Sequence, residues 1–135
     1  MRHLRLPLAA LVLAAAWSCA SGPKVTPGTL APGVSVTGKW DSNWGRMELR
    51  QSGAEVTGTF EGNRAVGTLT GTIEGDILWF DWVQPGNLSD GRRRSEGKGW
   101  FRIAGDGRAL EGAWGYQEAR EGGGKWTAEP AGPQY

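Results

Sequence analysis

From Thr37 to Phe60 the chain reads TGKWDSNWGRMELRQSGAEVTGTF, and a glycine, one polar residue and a large ring occur in it twice, as Gly38-Lys39-Trp40 and Gly58-Thr59-Phe60. Between them Met47-x-Leu49-x-Gln51 alternates apolar and polar residues, as a strand buried on one face must. The stretch reads as three strands joined by two tight turns. Glycine beside a ring is what a strongly bent sheet needs, because it lets the strand bend and lets the ring approach the backbone. With 23 glycines in 135 residues, more than double the usual share of about 7%, the same constraint extends along the chain.

The pattern continues at regular spacing. Strands are expected at Val34–Asp41, Met47–Gln51, Glu55–Phe60, Ala65–Ile73, Ile77–Val83, Lys98–Ile103, Ala109–Tyr116 and Lys125–Glu129, with turns rich in Gly, Asn and Asp between them. Threonines at 68, 70 and 72 offer good β surface opposite Gly67, Leu69, Gly71 and Ile73. The fifth strand is apolar on both faces, with Trp79 on one and Leu78, Phe80 and Trp82 on the other, which predicts an outer face covered by a partner or a crowded part of the core. Eight short antiparallel strands, without a helix-period segment past the N-terminus, predict an all-β fold: an eight-stranded up-and-down barrel. A two-sheet sandwich is the rival, although it calls for more than the single long connection seen here, from Gln84 to Glu96.

Ahead of this domain, Arg2, His3 and Arg5 precede an apolar run from Leu6 to Trp17 and a small-residue end, which is the layout of a secretory signal. The run falls short of the roughly 20 residues a membrane span needs. Cleavage after Ala16 or Ala20 is one exit. The other is suggested by Ala16-Trp17-Ser18-Cys19, which resembles a bacterial lipobox and would place a lipid on Cys19. Cys19 is the only cysteine, so it has no partner for an internal disulfide, and lipidation would put it to use. The expected organisation is a signal over 1–18, a lipidated Pro/Gly-rich tether over 19–33, the barrel over 34–130 and a tail over 131–135. A free tether of that composition reaches about 40 Å from a bilayer. Ala20 and Ser21, rather than Asp, after the cysteine point to an outer-membrane anchor, the alternative being a secreted or periplasmic protein.

Charge and residue inventory narrow the function. The 15 basic residues less Arg2 and Arg5 leave 13 against 14 acidic ones, so the exported part lacks the basic face of a nucleic-acid binder. His3 is the only histidine and lies in the signal, which leaves no Ser-His-Asp or Cys-His catalysis and no imidazole or thiolate metal site. No glycine-rich loop precedes a helix, so no nucleotide cradle and no cofactor are expected. Asp41 and Asp81 each sit in or beside a strand and could flank a cleft as a carboxylate pair, but they read better as turn-proximal surface residues or partners of Lys39 and Arg102. A non-enzymatic protein is expected. Trp44 stands out because it sits in a turn, where burial is not required. Together with Arg46, with Trp82 near the end of the fifth strand, and with Arg92, Arg93 and Arg94 in the long loop, it forms a candidate mouth for a hydrophobic small ligand or an envelope protein partner. A run of three arginines in a loop is otherwise simply solvated.

Thr37-Gly38-Lys39-Trp40, then Gly45, Met47 and Val56-Thr57-Gly58-Thr59-Phe60, resembles the opening of the avidin and streptavidin family, within the wider lipocalin-like barrels, and Gly112-x-Trp114 and Trp126 follow its general pattern. The resemblance implies a small barrel with a ligand site at one end. It does not carry biotin binding, because the family's ureido donors correspond to Ser42, to Arg46 or a gap, and to Phe60, which lacks the phenolic hydroxyl. Two further readings stay open: an exported protease inhibitor that uses residues 20–33 as a projecting segment, and a structural component of an envelope assembly that docks through Ile77–Val83.

Overall fold

Alternating side chains send one row of each strand inward and one outward, and in this chain the inward rows close on themselves. The computed structural model describes residues 25–62, 66–86, 89, 91 and 93–132; the expected signal, Cys19 and the first part of the tether lie outside them. Eight strands, β1 (Gly38–Ser42), β2 (Gly45–Ser52), β3 (Glu55–Glu61), β4 (Val66–Glu74), β5 (Ile77–Gln84), β6 (Ser95–Ile103), β7 (Leu110–Tyr116) and β8 (Gly124–Pro130), pair in sequence order as a closed antiparallel barrel. β1 and β8 complete it through Trp40–Pro130, Asp41–Glu129 and Ser42–Ala128. The expected barrel is the observed architecture, and closure removes the sandwich. It also leaves no strand edge among the eight.

Register shows what the glycines do. Phe60 faces Gly67, Trp82 faces Gly97, Phe80 lies between Gly71 and Gly99, and Trp126 faces Gly112. A Cβ on Gly97 would stand 2.8 Å from the Trp82 indole nitrogen, and one on Gly99 would run into the Phe80 ring and stand 2.7 Å from the Ala113 carbonyl. Each of these rings therefore occupies space that its neighbouring strand leaves vacant. Backbone freedom matters separately in the turns: Gly53 (φ 60°) and Gly75 (φ 60°) open the two-residue hairpins β2–β3 and β4–β5, where an L side chain would be strained.

The first strand is shorter than its sequence pattern implies. Residues 34–37 do not pair in the sheet; they turn inward and cap the end of the barrel where β1 begins. Val36 is fully buried, Leu30 and Val34 pack against the core, the Val36 N–H donates to Gln51 Oε1 (3.0 Å), and the Trp40 indole N–H donates to the Val36 carbonyl (2.9 Å). The apolar alternation that predicts a strand here serves a plug. Above it Met47, Leu49, Val56, Leu69, Leu78, Phe80, Phe101, Ile103 and Leu110 fill the lumen.

The described part of the expected tether is held down rather than free. Asp76, in the β4–β5 turn, accepts from the Gly28 N–H (2.6 Å) and from Arg102 Nη1 (2.7 Å), while Arg102 Nη2 donates to the Thr26 carbonyl (3.0 Å). Ile77, whose strand position faces outward, is fully buried beside this clip. Burial works to raise the pKa of Asp76, but the Gly28 N–H and the Arg102 guanidinium outweigh it and hold the carboxyl below its usual value.

Two outcomes follow from this architecture. Gly99→Ala is expected to lower stability by about 1–3 kcal/mol, because neither the packed Phe80 ring nor a backbone carbonyl can yield; chemical denaturation measures it, and an unchanged midpoint would refute the steric account. Since the folded pKa of Asp76 lies below the unfolded one, the clip contributes fully above about pH 4 and is lost as pH falls through the folded value. The Gly28 amide resonance should hold steady down to about pH 4 and move only below it; a transition at higher pH would mean that Arg102 and Gly28 do not hold the carboxylate.

Candidate functional site

Opposite the plug, the lumen widens into a cup whose wall is aromatic. Up-and-down connectivity brings to this end the last residues of β3, β5 and β7, the first of β6 and β8, and the β1–β2 turn. Phe60, Trp82, Gln84, Ser95, Trp114, Tyr116 and Trp126 arrive on the strands, Trp44 on the turn and Gly62 just beyond β3, around a cavity of about 170 Å³. No charged side chain is among these lining residues.

The rings brace one another edge to face. Trp114 stands perpendicular to Trp44 (centroids 5.1 Å apart), Trp82 (5.6 Å) and Tyr116 (5.0 Å). Beneath them Trp126 makes the floor, with Phe60 at 5.2 Å and the core rings Phe80 and Phe101 each at 5.4 Å. Such pairs contribute about 0.5–1.5 kcal/mol each beyond burial. Two indole N–H groups are satisfied, Trp82 to the Gly115 carbonyl (3.1 Å) and Trp44 to the Lys125 carbonyl (3.1 Å). Those of Trp114 and Trp126 are buried and have no partner among the described residues.

Trp44 is placed by its turn. Asn43 binds β8 at both ends of its side chain, donating to the Lys125 carbonyl (2.8 Å) and accepting from the Thr127 N–H (2.9 Å), and its own N–H reaches the Thr127 carbonyl (3.1 Å). Ser42 Oγ accepts from the Trp44 N–H (3.1 Å). The turn is thus fastened across the barrel's closing seam, and Trp44 stays 38% exposed over the cup. The β7–β8 loop is kept clear of the opening. Arg120 folds down the outer wall, 5.3 Å over the Trp79 ring, donating to the carbonyls of Phe80 (3.2 Å) and Gly99 (3.0 Å), and Glu121 accepts from the Trp100 indole (3.1 Å). These contacts cover part of the outward rings of β5 and β6 from within the chain.

The residues expected at a mouth are distributed differently in the barrel. Trp44 and Trp82 meet at the cup through Trp114. Arg46 does not reach it: it is out of phase with the inward Met47, faces the outer wall opposite Asp41, and its Nε lies 3.8 Å from that carboxylate. Arg93 and Arg94 are exposed on the connection before β6, where Arg94 pairs with Glu96 (3.2 Å), and neither lines the cup. Arg92 and Cys19 lie outside the described residues. Asp41 and Asp81 do not face each other across a cleft, since Asp81 accepts from Lys98 (3.0 Å) on the outer wall. No grouping of three or more His, Cys, Asp and Glu suited to a metal ion occurs among the described residues.

Phe60, Trp114, Tyr116 and Trp126 join the site without having been singled out for it. The signal was present: in an up-and-down barrel, rings at the ends of odd-numbered strands and at the start of β8 share one rim, and Phe60, Trp82, Trp114, Tyr116 and Trp126 occupy those places. No family model, curated protein or solved structure matches the chain.

Proposed function

We propose that this is a non-catalytic binding protein of the cell envelope, anchored through a lipid on Cys19, whose barrel takes one end of a small, largely apolar ligand into the aromatic cup. One observation carries the binding reading. Above a fully packed core stands an uncharged cup lined by Trp44, Phe60, Trp82, Trp114, Tyr116 and Trp126, with the indole donors of Trp114 and Trp126 unpartnered among the described residues. A barrel end that serves stability alone would fill with aliphatic side chains, and leaving Tyr116 55% exposed costs burial. Uncharged concave aromatic sites with a few polar groups are the usual form of small-molecule sites. The polar side chains at the cup are Gln84, Ser95 and Tyr116, which form no nucleophile-base pair, so the reading is of binding without chemistry.

The rival roles draw less support. A projecting inhibitory segment would have to leave the Asp76–Arg102 clip, and a docking edge along β5 would compete with Arg120 for Trp79. Anchoring rests on the sequence from Ala16 to Cys19.

Two measurements test the proposal. In a fragment screen read by the indole N–H resonances, binders should move those of Trp114 and Trp126, and Trp44→Ala should weaken them about tenfold, the worth of one aromatic wall; a screen that moves neither resonance sinks the reading. Mass spectrometry of the native protein should find a mature chain that starts at an acylated Cys19. A chain starting at Trp17 or Ser21 would establish plain secretion instead.

A further inference from the structure

We infer that the occupant of the cup is a neutral sugar, the terminal pyranose of a glycan, an inference that rests on the binding reading above and narrows it. Size comes first. A buried apolar cavity of about 150 Å³ holds a single benzene ring, and this cup, at about 170 Å³ and open to solvent, takes one six-membered ring whose substituents emerge through the rim. Below it Trp126 packs on Phe60, Phe80 and Phe101, so the lumen has no tunnel for an acyl chain.

Charge comes next. No acidic or basic side chain lines the cup, so neither a carboxylate or phosphate nor an ammonium group would find a counter-ion there. Trp114 and Trp126 are each more than nine-tenths buried and their indole nitrogens are enclosed, so the polar side chains left to meet an occupant are the neutral Gln84, Ser95 and Tyr116.

The third argument is the division of the lining. Gln84 and Ser95 face each other across β5 and β6, and Tyr116 follows at the end of β7, so three neutral hydrogen-bonding groups share one side. Rings line the wall all round, Trp44, Phe60 and Trp126 from the turn, β3 and β8 and Trp82 and Trp114 from β5 and β7, so the hydrogen-bonding groups are gathered on one side of an otherwise aromatic cup. A pyranose has the same division, with C–H faces that pack on rings and a rim of hydroxyls that both donate and accept. A purely apolar ring would cover Gln84 and Ser95 without giving them partners, and burying polar groups unpaired is costly.

The experiment titrates methyl pyranosides of several configurations, and separately toluene as an apolar ring, into the folded chain, following the Trp114 and Trp126 indole resonances. At least one pyranoside is expected to shift both at millimolar concentration, and Gln84→Leu should weaken it about five- to tenfold while leaving toluene unaffected. An oligosaccharide ending in the same residue should bind at least as tightly as the methyl glycoside, which places the glycan's end, rather than a free sugar, at the cup. If toluene shifts the resonances and no pyranoside does, the cup is a site for apolar rings: the sugar is excluded and the binding reading stands. If nothing shifts them, both fall. Equal loss of toluene and sugar in Gln84→Leu also overturns the inference, because it would assign Gln84 a structural part only.

Discussion

The lumen of an eight-stranded barrel has no room for a ring opposite a ring, and the fold depends on how this chain resolves that conflict. For most of the aromatic side chains that point inward, the register sets a glycine beside the ring on an adjoining strand: Gly67 at Phe60, Gly71 and Gly99 at Phe80, Gly97 at Trp82, Gly112 at Trp126; Trp40, beside Met47 and Pro130, is the exception. Volume is thus traded across strands rather than along them. The backbones pay in conformational entropy for each glycine, and the rings return it as buried apolar area and as edge-to-face pairs running from Phe101 through Trp126 to Phe60.

That trade explains how much of the fold is legible in the sequence. Gly-x-ring motifs and period-two alternation belong to single strands, so the eight strands, their order and their inward rows were legible, and closure followed from the connections. Features set by contacts between distant segments were not. Val34 and Val36 alternate as strand residues do, but β1 finds its partners only from Gly38 onward, and the remainder turns in as a plug. Residues 26–28 have the composition of a tether, and nothing nearby in sequence reveals Asp76 and Arg102, about fifty to seventy-six positions away, that bind them. Arg46 followed Trp44 into the proposed mouth by proximity, although strand phase, once β2 is known to begin at Gly45, directs it outward. The cup was half legible because its members are spread over β3, β5, β6, β7 and β8, and only the topology gathers them.

The two aromatic regions of this barrel are treated differently. On the outer wall Trp79 lies beneath Arg120 and Trp100 is bonded to Glu121, so the chain covers its own rings with one short loop. A cation over an indole is worth about 0.5–1 kcal/mol at an exposed site. At the rim, Trp44 and Tyr116 receive no such cover from the described residues. One loop thus does both jobs: by lying against β5 and β6 it shields the outer rings and stays off the opening.

The clip at Asp76 gives the molecule a polarity with respect to whatever holds its N-terminus. The β4–β5 turn is at the plugged end, so the chain departs from the face opposite the cup. Were Cys19 to carry a lipid as proposed, the seven residues from 19 to 25 would span at most about 25 Å, and the barrel would stand on a short stem with its cup turned away from the bilayer. Such a mount lowers the chance that the cup meets the bilayer's own lipids. It would raise the effective concentration of anything fixed in the layer just beyond, because a short stem concentrates encounters that a long one would dilute.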